Sequence, residues 1–375
     1  MATKVDGVLK EWGDRMFVVK TRARPAPKTI GGGKAKVKQA VPKSGNTAAI
    51  VRAALVRATK RTPEVMVKIT AGRKDPATGK RNTPCKDMGA IKAHMDYISR
   101  NGDVPLEDEQ GNIIEGREAV RELRDDWQES GGHRIPAANG YRREAFSIVL
   151  SMPPGTDREA VTQAAREFAA KTFDRHQYVF ATHNDEDHPH VHLCVKAVSQ
   201  DMVRMNPRKA DLQEWRETFA EKLRDHGIEA NATPRIVRGQ MQRSQRQEER
   251  EIADRGGHSK RREQRKALVD AELAGKGDSG RAEQDAKMGE RKRRQLQEYG
   301  KLAHGLAGST DPEDRRLAVD VVKMVKGMPA AKTAHRQDVE QAQALADKAK
   351  GQGGPDRGRD ADRGKARGDR GADRE

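Results

Sequence analysis

Residues 181–195, ATHNDEDHPHVHLCV, leave the backbone few choices. Before them, residues 177–183 read QYVFATH, a short strand by composition. After them, residues 190–198 alternate. Val191, Leu193, Val195 and Ala197 fall on one side, and His190, His192, Cys194 and Lys196 on the other. Period two of this kind marks a half-buried strand. The linker 184–189 is polar and ends in proline, as a turn does. An antiparallel hairpin closing on that turn sets His183 opposite His190, and His192 follows two residues later on the same face. Three imidazoles then converge on one side of the sheet, while the aliphatic side chains enter a core on the other.

Four of the eleven histidines lie within ten residues here, with three acids among them. Three neutral imidazoles that leave a position open suit a catalytic divalent metal better than a closed structural site. His183, His190 and His192 are therefore the candidate ligands. Magnesium or manganese is expected, with zinc as the alternative. Asp185 and Asp187 are placed to hold ring nitrogens from behind. His188 is expected on the opposite face of the strand register from His190. Histidines that merely meet solvent at strand ends are the plain alternative, and the spacing weighs against it.

The flanks differ from this centre. Hydrophobic residues make up 34% of the 375 and charged residues 35%, so much of the chain is expected outside a packed core. The net charge of +17 is uneven. Residues 1–60 hold 14 Lys/Arg against 3 Asp/Glu, a net of +11, whereas residues 61–240 hold 28 against 29, a net of −1. Residues 241–375 hold 32 against 25, a net of +7. Basic arms favour phosphate backbones through counterion release, without reading sequence. The near-neutral middle must rely on local patches: Arg142 and Arg143 in the loop HRIPAANGYRR, and Arg204, Arg208 and Lys209 around MNPRK. Two cysteines give no disulfide framework and suit a reducing compartment. No apolar run reaches the length of a membrane span and no signal-peptide core opens the chain, so a cytoplasmic protein is expected.

Four regions are expected. Residues 1–61 form a basic flexible extension with one amphipathic piece at 5–21, and residues 62–240 a catalytic domain. A charged helical region follows at 241–350, in which 317–325 is the apolar stretch suited to a partner helix. An Arg/Gly/Asp-rich disordered tail at 351–375 ends the chain. Within the domain, strands are expected at 64–70, 146–152, 177–183 and 190–198, and a short hairpin at 107–116. Helices are expected at 88–100, at 117–128, after a Thr156 cap, and at 210–226. Tyr97 falls in the last turn of the first of these, which stops at Asn101-Gly102.

HNDEDHPHVHLCV resembles the third motif of HUH relaxases, the nickases that start plasmid conjugation. The subgroup it is most similar to contains the mobilisation relaxases and the T-DNA border endonuclease. The order strand, basic loop, helix with tyrosine, then Ser-Arg-Asn-Gly resembles that family's first motif. The resemblance covers residues 62 to 240, about half the chain. It implies an α+β fold, with an antiparallel sheet of about five strands and helices on one face. It implies Tyr97 as nucleophile and the three histidines as metal ligands; for the acid or base, the nearby Asp187 and His188 are both candidates. The implied reaction is site- and strand-specific nicking of single-stranded DNA at a plasmid transfer origin, leaving a 5′-phosphotyrosine. Implied partners are supercoiled plasmid DNA, relaxosome accessory proteins and a type IV coupling protein, with export from a bacterial cytoplasm to the recipient cell. An HUH replication initiator or transposase has equal chemistry, but there the tyrosine usually follows the histidines. A DNA-binding accessory protein with a structural or lost metal site is the third reading.

Overall fold

The computed structural model describes residues 4–16, 48–70, 85–130, 133–138, 140–235, 237–239, 252, 254–276 and 281–351. The chain divides into two compact units. One comprises residues 1–240 with 294–329, and the other residues 241–293 with 330–375.

The first unit is built on a six-stranded antiparallel sheet ordered β1-β4-β6-β5-β2-β3. Its strands are β1 (Met66–Ile69), β2 (Leu106–Asp108), β3 (Ile113–Ile114), β4 (Ala145–Ser151), β5 (Tyr178–His183) and β6 (His190–Lys196). The α+β class expected from sequence is the one observed; the extra strand comes from the short β2–β3 hairpin. The alternation in β6 sorts its two faces as expected. Val191, Leu193 and Val195 join a core with Phe146, Ile148 and Leu150. That core is roofed by α5 (Arg158–Thr172) and α6 (Lys209–Asp225), through Val161, Ala165, Phe168, Phe219 and Leu223. Each such fully buried side chain contributes roughly 2 kcal/mol of transfer free energy.

The opposite face differs from expectation. β6 is buried at every residue, so it is not half-buried. A second core covers its polar side, made by α3 (Met88–Ile98) and α4 (Arg117–Glu129). Helices therefore pack on both faces. A central strand tolerates a charged side chain there where it finds partners. Lys196 is 1% exposed, and its ammonium donates to the carbonyls of Trp127 (3.0 Å) and Ser130 and to Gln177 Oε1 (3.1 Å). It thus caps the carbonyl end of α4. The expected Thr156 cap is also corrected: Asp157 caps α5, accepting from the Glu159 and Ala160 amides.

The N-terminal region is not simply a flexible extension. Helices α1 (Lys4–Met16) and α2 (Ala48–Thr59) lie within it; residues 17–47 fall outside those described. Val5, Leu9, Trp12 and Met16 recur at helical spacing and are buried. They pack with Val51 and Leu55, and with residues of α8 (Arg281–Ala307) and α9 (Pro312–Lys326). Trp12 meets Tyr299 at 5.3 Å between ring centroids, and Arg52 Nε donates to Asp314 at 2.9 Å. The apolar stretch suited to a partner helix thus has its partner in the same chain. The stretch lies within residues 294–329, which belong with the first unit, so the expected boundary at 240 does not separate them.

In the second unit, α7 (Lys260–Leu273) and α10 (Ala334–Gly351) pair through Arg265 and Asp338, and through His335 and Glu272. The 352–375 tail lies outside the described residues.

Candidate metal centre and nucleophile

Two neighbouring elements build the site. β5 and β6 form the expected hairpin, with His183 paired to His190 and Ala181 to His192. The ligand-capable nitrogens of His183, His190 and His192 all lie within 4.8 Å of one another, and all three residues are buried. Their ring centroids are 4.6 to 5.4 Å apart.

Hydrogen bonds decide which nitrogens are available. His183 Nε2 lies 2.7 Å from the Ile98 carbonyl, so it donates there. That leaves His183 Nδ1 buried with no hydrogen-bond partner. The His190 Nδ1 is 3.1 Å from the His188 carbonyl, leaving Nε2. Burial holds the His192 imidazole down to about 3, with the neighbouring histidines adding to the shift. Burial also lowers His183, against the pull of the Ile98 carbonyl. A buried orphan nitrogen and neutral rings fit a divalent cation, which needs lone pairs rather than protons. Cys194 lies on the same strand, but burial pushes its thiol far up, so it stays protonated.

The second element is α3. Asp87 caps it through the Ala90 amide, and Met88, Ile91, Met95 and Ile98 bury one stripe. Tyr97 lies one residue off that stripe and is 46% exposed. Its ring stands edge-on to His192 at 5.6 Å and to His183 at 6.2 Å. The bond from His183 to Ile98 thus ties the histidine strand to the last turn of the tyrosine helix.

The remaining expected residues are placed variously. Asp185 pairs with Arg100 and lies 3.8 Å from His190 Nε2. Burial raises its carboxyl, but its own backbone amide and Arg100 outweigh that and hold it low. Asp187 is exposed on the loop. The His188 ring lies 5.2 Å from that of His190 at a 31° tilt, so it does not face away. It precedes β6, and strand alternation does not govern it. Arg204, expected to meet DNA, is turned inward instead. Its Nη2 donates to both carboxylate oxygens of Glu144, at 3.0 and 3.2 Å, and its Nη1 donates to the Arg143 carbonyl at 2.7 Å. A buried carboxylate at that position demands such a partner. Arg142, Arg208 and Lys209 are exposed, and the Arg143 guanidinium lies 5.0 Å over the Phe146 ring. Sequence reasoning missed three residues around the centre. Arg100 carries the pair to Asp185, and Arg158 donates to Asn184 Oδ1 and the Glu186 carbonyl. His94 is buried one turn before Tyr97, with its Nε2 unpartnered. Only Arg100 stood in a motif that could have flagged it.

Residues 97–228 match the family model "Relaxase: MobA/VirD2-like, nuclease domain". The T-DNA border endonuclease VirD2 of Rhizobium radiobacter is 30% identical over 174 residues, covering 42% of this chain and 41% of that protein. The VirD2 of Agrobacterium fabrum is 29% identical over 183 residues, 42% and 39% of the respective chains. The chain therefore spans about two-fifths of the length of these curated relatives. A solved structure described as "Molecular Basis of Vancomycin Resistance Transfer in Staphylococcus aureus" aligns with a TM-score of 0.28 and 13% identity. It covers 46% of this chain and 99% of that one, a likeness too low to carry an argument. The segment 97–228, with Tyr97 and the three histidines inside it, is thus similar to the MobA/VirD2-like relaxase nuclease domain.

Proposed function

We propose that this protein is a DNA relaxase that nicks one strand at a plasmid transfer origin by tyrosine transesterification. The observation that carries the reading is the tie between His183 and Ile98. One imidazole is bonded to the last turn of the tyrosine helix through Nε2, and it offers its buried Nδ1 to the same cluster as His190 and His192.

The chemistry follows from the residues. The Tyr97 oxygen attacks the scissile phosphorus, and the bond from phosphorus to the 3′ oxygen breaks. The tyrosine proton leaves to a base, and the 3′ oxygen takes up a proton to give a free 3′-OH. The strand remains on the protein as a 5′-phosphotyrosine, which conserves the ester for rejoining. A phenol with a pKa near 10 needs deprotonation to attack well. Asp187 and His188 are the acid/base candidates, and the His188 ring lies 5.2 Å from that of His190. His183, His190 and His192 would hold a divalent cation, magnesium or manganese before zinc, and it would neutralise charge on a non-bridging phosphate oxygen. Exposed Arg142, Arg208 and Lys209, with Arg143, offer phosphate contacts on the nuclease domain. The substrate is single-stranded at the nick, since a paired backbone would not easily approach a site bordered by a helix and a hairpin. In this reading the protein pilots the strand in conjugation, with relaxosome proteins and a coupling protein as partners.

The test is adduct trapping. The full chain with manganese is mixed with a random-sequence single-stranded library, and covalent complexes are isolated and mapped by mass spectrometry. The adduct is expected on Tyr97, and it is expected to vanish with Tyr97→Phe or with chelator. An adduct on Tyr141, or none at all, refutes the reading.

A further inference from the structure

The turn that follows the tyrosine helix is built at a cost. Arg100 occupies the first position after the Ser99 cap, where helices commonly end on a left-handed glycine. Arg100 has φ of 51° and Asn101 of 59°, followed by Gly102 at 97°. Asparagine tolerates this region and glycine is free there, but arginine is strained. Surrounding bonds hold the turn. The Gly102 and Val104 amides donate to the Ser99 carbonyl at 2.9 and 2.8 Å, and Gly116 donates to the Gly102 carbonyl at 3.1 Å. A glycine at position 100 would satisfy the same backbone without strain. The arginine side chain must therefore serve something the turn does not need.

That side chain reaches across to the histidine loop and pairs with Asp185. Arg100 stays 43% exposed and Asp185 49% exposed, so the pair is accessible to a strand. The Asp185 carboxylate bridges the two sides: one oxygen pairs with the guanidinium, and the other lies 3.8 Å from His190 Nε2. Tyr97 lies three residues back, edge-on to two of the histidines. A strained cation, the tyrosine and the three imidazoles thus border one small space. An exposed ion pair contributes little to stability, so the strain is not offset by it.

We propose that Arg100 is a catalytic residue that grips the scissile phosphate, and that Asp185 is its resting counter-ion. This rests on the nickase reading above. When the strand enters, the guanidinium exchanges the carboxylate for two non-bridging phosphate oxygens, whose spacing matches its planar fork. Attack by Tyr97 adds negative charge to those oxygens, and the arginine meets it. Asp185 keeps the cation parked beside the site, and it repels the phosphate until the exchange occurs.

The test uses the strand trapped by the wild-type chain, resynthesised with an ordinary phosphate or a neutral methylphosphonate at the nick. Binding is measured by anisotropy with the full-length Tyr97→Phe chain and manganese. The ordinary strand should bind about tenfold tighter than the methylphosphonate strand, as expected for a charged hydrogen-bonded pair. Adding Arg100→Ala should shrink that preference to the share the manganese supplies, whereas Arg100→Lys should retain more of it. Arg100→Gly, which removes the strain, should melt no lower than wild type yet lose the same share of the preference as Arg100→Ala. Manganese affinity measured by calorimetry should hold in all three. Full discrimination retained in Arg100→Ala overturns the proposal. So does a loss of manganese affinity as large as that of His190→Ala, since Arg100 would then be scaffolding for the histidines. If no strand is trapped at all, the nickase reading itself fails and the clamp falls with it.

Discussion

The imidazole of His94 makes this fold sensitive to acid in a way that can be separated from the metal. The residue lies on α3, one turn before Tyr97. Burial pushes it down to about 4 from an ordinary 6.5, against a hydrogen bond to the Leu193 backbone that pulls the other way. Because the folded value lies below the unfolded one, the native state binds fewer protons between pH 4 and pH 6.5. Stability from this group is therefore intact above about pH 6.5 and is lost as pH falls towards 4. At pH 5 the unfolded imidazole is protonated and the folded one is not. The gap of about 1.5 units costs about 2 kcal/mol, at about 1.36 kcal/mol per unit. His94→Leu keeps similar volume and removes the titration. The assay is native-state hydrogen exchange at the Met95 and Ile98 amides, at pH 7 and pH 5, with chelator present. Exchange reports opening of α3 itself, which suits a chain of two units better than one global transition. The wild type should lose about 2 kcal/mol more protection than His94→Leu over that interval. His183 and His176 remain in both proteins, so their own sensitivity cancels, and His192 loses only the downward push of His94, which ranks behind burial, His183 and His190. Equal losses in the two proteins would refute the reasoning.

Lys196→Met should lower stability by about 3 kcal/mol, because the Trp127 and Ser130 carbonyls at the end of α4 lose their donor in a buried place. An unchanged melting temperature would mean that water replaces the ammonium. Gly102→Ala should cost about 3 kcal/mol, since its φ is +97° and a Cβ would stand 2.7 Å from the Arg117 amide nitrogen. It should also lower adduct formation by shifting the Arg100 turn. Normal nicking by a folded Gly102→Ala protein would separate that turn from the chemistry.

Local pattern carried a large share of this protein. Period two in residues 190–198, closed by a polar turn, sufficed to bring His183 opposite His190, because strand register follows from pairing alone. Period 3.6 and the Asn101-Gly102 stop sufficed for α3, and they put Tyr97 at its end. Such signals are written within ten residues, and neighbours in sequence read them out. Tertiary structure decided the rest. Nothing near residue 196 says that a lysine will be buried, because its acceptors come from residues 127, 130 and 177. Arg204 reads as a surface cation until Glu144, 60 residues earlier, turns it inward. Helix α1 reads as part of a charged arm because its apolar stripe is four residues. Its partners, Tyr299, Leu302 and Leu306, come almost three hundred residues later. The same holds for Arg100, whose motif is visible but whose carboxylate lies 85 residues away across the site. Burial and charge pairing depend on which distant surfaces meet, and a one-dimensional period holds no record of that.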